Sequence, residues 1–252
     1  MPRDSWLLNR ASIQPGPEFA ESALHFVLDP MEAAVAATDV NDMFARIEAT
    51  GQLMRLDKNV QPTMYRCATV TRAELEQLQR IDQIIRMGRV ESIETDQIVL
   101  TNGSVPSTPD AVFVDCSADG LANRPAVPVF AGNTITLQSV RTCQQVFSAA
   151  LLAHLEATYE TDEEKNGFSN PIPHPNTHLD YLREQAASGL NSFGWRMEPG
   201  LAAWLDESRL DGFSTLRSGV GESAAEQQLT ERIAEIGGEA LAALQKLLAA
   251  AE

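Results

Sequence analysis

Residues 86–120 read RMGRVESIETDQIVLTNGSVPSTPDAVFVDCSADG, and the reading of this stretch decides the fold. A period of two runs through 84–93 and 97–105, with Thr95-Asp96 and Asn102-Gly103 as turn residues between or beside them. The first two strands are expected to pair antiparallel. The third, Ala111–Asp115, is apolar at four successive positions and has no polar alternation. Such a run suits a strand covered on both faces. It ends in Asp115-Cys116-Ser117-Ala118-Asp119-Gly120, a burst of small and polar residues. That burst is either a plain strand-to-loop junction or the mouth of a ligand site.

Helical patterns flank this centre. Residues 17–57 carry Val35, Val40, Phe44, Ile47 and Leu53 near helical spacing, and Asp29-Pro30 reads as a start with Asp as N-cap. Gly51 argues against one unbroken helix. In 69–81 Thr71 and Glu74 form a capping box, and Leu75, Leu78 and Ile81 are expected to mark the buried face of the helix that follows. Residues 139–160 read as a strong helix, 161–178 as a charged and then Pro/Asn/His-rich loop, and 179–187 and 200–209 as further helices. Residues 213–224 read as a linker. The tail, 225–252, is an amphipathic helix with Leu229, Ile233, Ile236, Leu241, Leu244 and Leu248 inward and a kink expected at Gly237-Gly238. The fold class is therefore mixed α and β, with a small sheet at about 84–138 and helix-rich flanks. The expected organisation is a helix-rich segment at 1–82, a hairpin, buried strand and helix at 83–160, loop and helices at 161–213, and linker and helix at 214–252.

Composition bounds the function. The 252 residues carry a net charge of −16. A surface so acidic repels nucleic acid and anionic membranes, so neither is an expected partner. No apolar run is long enough to span a bilayer, and the start is not expected to act as a signal peptide. Cys67, Cys143 and Cys116 are far apart and form no C-x-x-C pair, which fits a reducing cytoplasm. Cys67 and Cys143 sit among apolar neighbours and read as core. Cys116 at a strand end is open to two readings, a nucleophile or an inert buried thiol. Its flanking aspartates disfavour a thiolate. A cysteine hydrolase would also need a base that no motif supplies.

His174 and His178 have i, i+4 spacing but lie in HPNTH, where Pro175 opposes a helix, so they read as surface loop residues. His25 and His154 fall in helical stretches and read as border residues. GVGESA at 219–224 matches a dinucleotide fingerprint as a string. It lacks the buried strand that would aim a helix N-terminus at a pyrophosphate, so it reads as a linker. In LQSVRTC (137–143) an extended segment is expected to turn into a helix at Ser139, with Arg141 in its first turn. A cation there opposes the helix dipole. Arg141 therefore has either a partner elsewhere or an acidic neighbour at the surface.

The order helix, hairpin, apolar strand, small-residue loop resembles FAD/NAD(P)-binding oxidoreductases of the pyridine nucleotide-disulfide-like and flavin monooxygenase-like type. In these, a hairpin of form G-x-V-x-x-I…h-x-L-x-x-G precedes a buried strand ending in a Thr-Gly turn, of which Asp115–Gly120 looks like a variant. PVFAGNTITLQSVRTCQQVFSAALLAH resembles their last FAD-contacting strand and helix. MPRDSWLLNRA looks like the sequence following the second strand of their inserted NADP domain. The resemblance covers roughly residues 1–215 and implies a partial two-dinucleotide-binding-domain flavoprotein fold. It implies FAD contacts from Cys116, Ser117, Ala118, Gln138, Ser139 and Arg141, and an NADP 2′-phosphate contact from Arg3. The reaction implied is hydride transfer from NAD(P)H to FAD, then electrons to a small-molecule substrate or oxygen. No glycine-rich dinucleotide loop precedes the hairpin. The chain is therefore expected to be a fragment or subunit of such an enzyme, served by an N-terminal companion polypeptide or a homo-oligomer. The rival reading is a non-catalytic, helix-rich binding or interaction protein.

Overall fold

A computed structural model describes residues 3–14, 16–118, 124–208, 210 and 223–251. The chain is mixed α and β, with small sheets among longer helices. Its first sheet has the order β2–β1–β3, from β1 (Ser5–Asn9), β2 (Leu53–Met54) and β3 (Met64–Val70). β1 pairs antiparallel with β2 and parallel with β3. None of these strands is among the sequence expectations, and β2 lies inside the stretch read as helical.

Between β1 and β2 run two helices, α1 (Ala20–Ala36) and α2 (Val40–Thr50), where a helical stretch over 17–57 was expected. The expected start at Asp29-Pro30 is corrected: Pro30 lies inside α1. Asp29 is engaged by His25 and by the Gln52 side chain, not by free N–H groups. The cap falls instead at Asp39, whose side chain accepts from Asp42 N and opens α2. Gly51, at φ +84°, closes α2 in the left-handed conformation that glycine tolerates best.

After β3, the capping box of Thr71 and Glu74 starts α3 (Arg72–Leu78) as expected, but the expected buried face is corrected: α3 has no buried residue, and Leu78 and Ile81 are exposed. The meander follows: β4 (Val90–Ile93), β5 (Gln97–Leu100) and β6 (Gly103–Pro106). β4 and β5 pair antiparallel as expected. The expected second strand, 97–105, is in fact two, because Thr101-Asn102 turns the chain back and Gly103 opens β6 at φ +144°.

The expected buried strand at 111–115 is corrected. Residues 111–118 belong to no strand, and every one of them is exposed. Val112 is 87% and Val114 79% accessible. A strand with no polar alternation needs cover on both faces, and among the described residues 111–118 neither pairs with a strand nor is covered.

A two-stranded ribbon, β7 (Phe130–Ala131) with β8 (Thr134–Ile135), leads to α4 (Gln145–Thr158). The expected helix start at Ser139 is therefore corrected as well. Val140 N donates to Ser148 Oγ, Val140 O accepts from Asn191, and Thr142 sits at φ +37°, so the backbone there is committed elsewhere. The loop expected at 161–178 contains α5 (Asp162–Gly167), opened by a capping box of Thr161 and Glu164. Then come α6 (His178–Met197), α7 (Pro199–Glu207) and α8 (Ala224–Ala251). α8 runs through Gly237-Gly238 as one helix, and Ile236, Ala240, Leu244 and Leu247 are its buried residues. Most of GVGESA, at 219–222, lies outside the described residues. No described helix is long and apolar enough to cross a membrane.

Two apolar clusters form the core. The first joins Trp6, Phe44, Ile47, Tyr65, Tyr181, Leu182 and Leu244. The second joins Phe130, Val140, Phe147, Leu151, Trp195 and Leu201. α6 serves both, placing Tyr181 and Leu182 in the first and Trp195 in the second. Tyr181, Glu184, Ser188, Asn191 and Trp195 are buried at helical spacing, so polar groups lie on the same inward face as the aromatics.

Candidate functional site

The residues that the flavoprotein resemblance points to fall into different settings. Cys116, Ser117 and Ala118 lie in the exposed segment, with Ser117 N donating to Asp115 Oδ1 at 2.8 Å. Gln138 folds back on Val127, donating to its carbonyl at 2.7 Å and accepting from its N–H at 3.1 Å. Ser139 accepts at its carbonyl from Ile172 N. Arg141 is buried, with its guanidinium 5.0 Å from the Phe147 ring and 5.7 Å from the Trp195 ring. Arg141 precedes α4 rather than lying in its first turn, and these rings are among its contacts. Arg3 donates to Asn176 Oδ1, which also accepts two bonds from Arg66. Of the set, Cys116–Ala118 keep the small, exposed character that close approach to a ligand requires, while the others hold internal contacts.

A site that sequence reasoning missed lies where β3, the segment before α4, and α6 converge. The sulfurs of Cys67 and Cys143 and a carboxylate oxygen of Glu184 all lie within 4.8 Å of one another. The cysteines are half-buried, and Glu184 is only 2% exposed. Cys67 Sγ is 3.6 Å from one Glu184 oxygen and 3.9 Å from the other.

Each side chain is placed by a local irregularity. From the Trp6–Tyr65 pair to the Leu8–Thr69 pair, β1 advances two residues and β3 four. Cys67 stands in that bulge at φ +55°. Bulges re-aim side chains, and a positive φ in a non-glycine residue costs on the order of 1–3 kcal/mol. Cys143 follows Thr142, the other described non-glycine residue with positive φ. Glu184 is placed by the start of α6, where Thr177 Oγ1 accepts from Asp180 N and Asp180 accepts from the N–H groups of Thr177 and Asn176.

The electrostatics follow from that crowding. Burial pushes Glu184 up to about 8, the charge of Cys143 adds to the rise, and the hydrogen bond from Cys67 opposes it. The closeness of the two sulfurs raises Cys67 and lowers Cys143, which leaves Cys143 the readier thiolate. Tyr65 and Tyr181 pack edge to face at 4.8 Å and wall the cluster. Cys67 packs against the first apolar cluster, as expected of a core residue, and with Cys143 it also belongs to this polar cluster.

The chain matches no family model, and no solved structure matches it. Over 211 residues it is 51% identical to an uncharacterized protein of Mycobacterium bovis and to uncharacterized proteins of two Mycobacterium tuberculosis strains, CDC 1551 and H37Rv. The match covers 84% of this chain and 39% of each relative. The chain thus spans about two fifths of the length of these relatives.

His174 and His178 do not share a helix, as expected, since α6 begins at His178. His178 approaches Thr63 O and the edge of Phe44.

The Asp180 cap has a measurable consequence. Burial raises the Asp180 carboxyl, but the N–H groups of Thr177 and Asn176, the Thr177 hydroxyl and Arg183 outweigh it and hold it below its ordinary 3.8. A carboxyl lowered by folding stabilises above its unfolded value, and that contribution is lost as pH falls through the folded value. Thr177→Ala is expected to cost about 1 kcal/mol at neutral pH. Asp180→Asn is expected to flatten the fall of stability below about pH 4. Urea titrations at neutral pH and on both sides of pH 4 check both. An unaltered acid limb in Asp180→Asn removes Asp180 from this role.

Proposed function

We propose that the chain is the C-terminal part of an FAD- and NAD(P)H-dependent oxidoreductase. In this reading residues 111–118 join the sheet of a dinucleotide-binding part and line the cofactor held there. The observation that carries it is the fully exposed apolar run after the meander. Val90, Ile93 and Leu137 are also half or more exposed, so apolar surface accumulates through this part of the chain. The occupant is a portion of the same kind of protein, because 61% of each relative's length (100 − 39) lies outside the match.

The fit to FAD is partial. Small residues at Cys116–Ala118 suit backbone approach to a cofactor, and Ser117 N is already turned back on Asp115. Gln138, Ser139, Arg141 and Arg3 are committed to the internal contacts described above, so the phosphates must be held by the other part. Bound FAD would take a hydride from NAD(P)H and pass electrons to a substrate or oxygen. This chain would wall the cofactor and exclude water.

The test is flavin retention. The chain alone, incubated with FAD and desalted, is expected to be colourless. Co-expressed with the unmatched portion of the M. tuberculosis relative, it should elute as a yellow complex that oxidises NADPH or NADH. A colourless joint preparation in which both polypeptides are folded and associated would falsify the reading. The rival, a non-catalytic interaction module, draws on Leu190, Phe193 and Met197, exposed at helical spacing on α6. A complex that forms without flavin favours it.

A further inference from the structure

We propose that Cys67, Cys143 and Glu184 form a site for one thiophilic divalent cation of the zinc class, with a fourth position left for water or a small anion. The inference stands apart from the flavin reading, since it uses none of the same residues.

The spacing suits the ion. Zinc takes sulfur at about 2.3 Å and carboxylate oxygen at about 2.0 Å, so the edges of a tetrahedron around it are roughly 3.5–3.8 Å long. The Cys67 sulfur stands 3.6 Å from a Glu184 oxygen, on such an edge, and the third donor lies within 4.8 Å. Closing the triad on an ion needs a movement of at most about an ångström, within reach of side-chain rotation.

The chemistry of the donors selects the ion. Two sulfurs disfavour magnesium and calcium, which prefer all-oxygen sites. A carboxylate beside two sulfurs suits a borderline cation such as zinc. Three protein ligands are the usual number when zinc keeps an exchangeable position. A buried carboxylate next to two ionisable sulfurs also calls for positive charge, because none of the three ionises cheaply out of water alone.

The surroundings hold the donors in place. Cys67 is turned inward by a bulge at positive φ, and Cys143 follows a second positive-φ residue. These strained residues lie 75 positions apart in the chain (142 − 67) and are brought to the same cluster. The half-exposure of both cysteines leaves the ion a way in.

Cobalt(II) added to the full chain, with a phosphine reductant and no oxygen, tests the proposal. One equivalent should bind, with thiolate-to-cobalt charge-transfer absorption and intense d–d bands of a tetrahedral site. Zinc should displace it. Cys67→Ser and Cys143→Ser should each weaken zinc binding by about 100-fold or more, read by competition with a chromophoric chelator. Glu184→Gln should weaken it about 10-fold while keeping the sulfur bands, and Cys116→Ser should change nothing. An absent cobalt spectrum, or undiminished affinity in the Cys67→Ser/Cys143→Ser double variant, overturns the site. Should the variants fail to fold, the unaltered chain decides. Zinc must slow maleimide labelling of Cys67 and Cys143 but not of Cys116, and equal rates overturn the site. A Cys67–Cys143 disulfide that survives the reductant also overturns it.

Discussion

Replacing Phe44 with alanine is expected to cost the fold about 3–5 kcal/mol. Phe44 is 1% exposed and sits at the centre of the first core cluster. Its ring stacks on Trp6 at 5.1 Å and meets Tyr181 edge to face at 5.3 Å. The loss has two sources. Removing the ring forfeits its transfer free energy and leaves a cavity that the surrounding sheet and helices only partly close. The aromatic pairs then lose about 0.5–1.5 kcal/mol each beyond burial, not additively. Domains of ordinary size are stable by about 5–15 kcal/mol, so the variant loses a large share of its margin. Urea unfolding should show a lower midpoint with an unchanged slope. A loss below about 1 kcal/mol would mean that this cluster does not dominate stability.

The double substitution Val112→Asp/Val114→Asp is expected to do the opposite: little to the chain, everything to the assembly. Both side chains are nearly fully accessible, so the change should alter the stability of the chain by no more than about 0.5 kcal/mol. Placed between neighbouring strands, the same carboxylates would each carry a desolvation penalty of several kcal/mol. Under the proposed reading, the joint preparation with the unmatched portion of the relative should then lose its flavin completely. Retained flavin at the original stoichiometry would show that 111–118 does not enter the companion sheet. A destabilised chain would show instead that the segment already packs on its own fold.

Much of the secondary structure is legible because its cause is local. The capping box at Thr71 is a reciprocal bond across three residues, and it is present. Gly51 stops a helix because glycine tolerates positive φ. The long amphipathic helix at the end follows from its period of apolar residues. Local rules failed where tertiary contacts outweigh them. Val140 and Thr142 sit in a helical pattern, but bonds to Ser148 and Asn191 hold that backbone out of the helix. Val112–Val114 read as buried because apolarity reports what a segment prefers, not whether a neighbour is there to cover it.

The cysteine cluster was the least legible feature, since Cys67, Cys143 and Glu184 come from distant segments with no shared spacing. One trace existed in advance. On the helix running from His178, Glu184 falls on the same face as Tyr181, Ser188 and Trp195. An acidic residue in that row is out of place in a plain apolar core and points to a polar partner beneath it.

The long helix α8 packs chiefly along α1, and Arg232 reaches back to Glu32 at 3.1 Å across 200 residues of chain. That arrangement sets a timetable for biosynthesis. At roughly 5–20 residues per second, α8 leaves the ribosome on the order of 10–40 s after α1. Until then the face of α1 that α8 covers stays open to water. The nascent chain therefore carries a sticky, half-built first cluster until α8 emerges and shuts it.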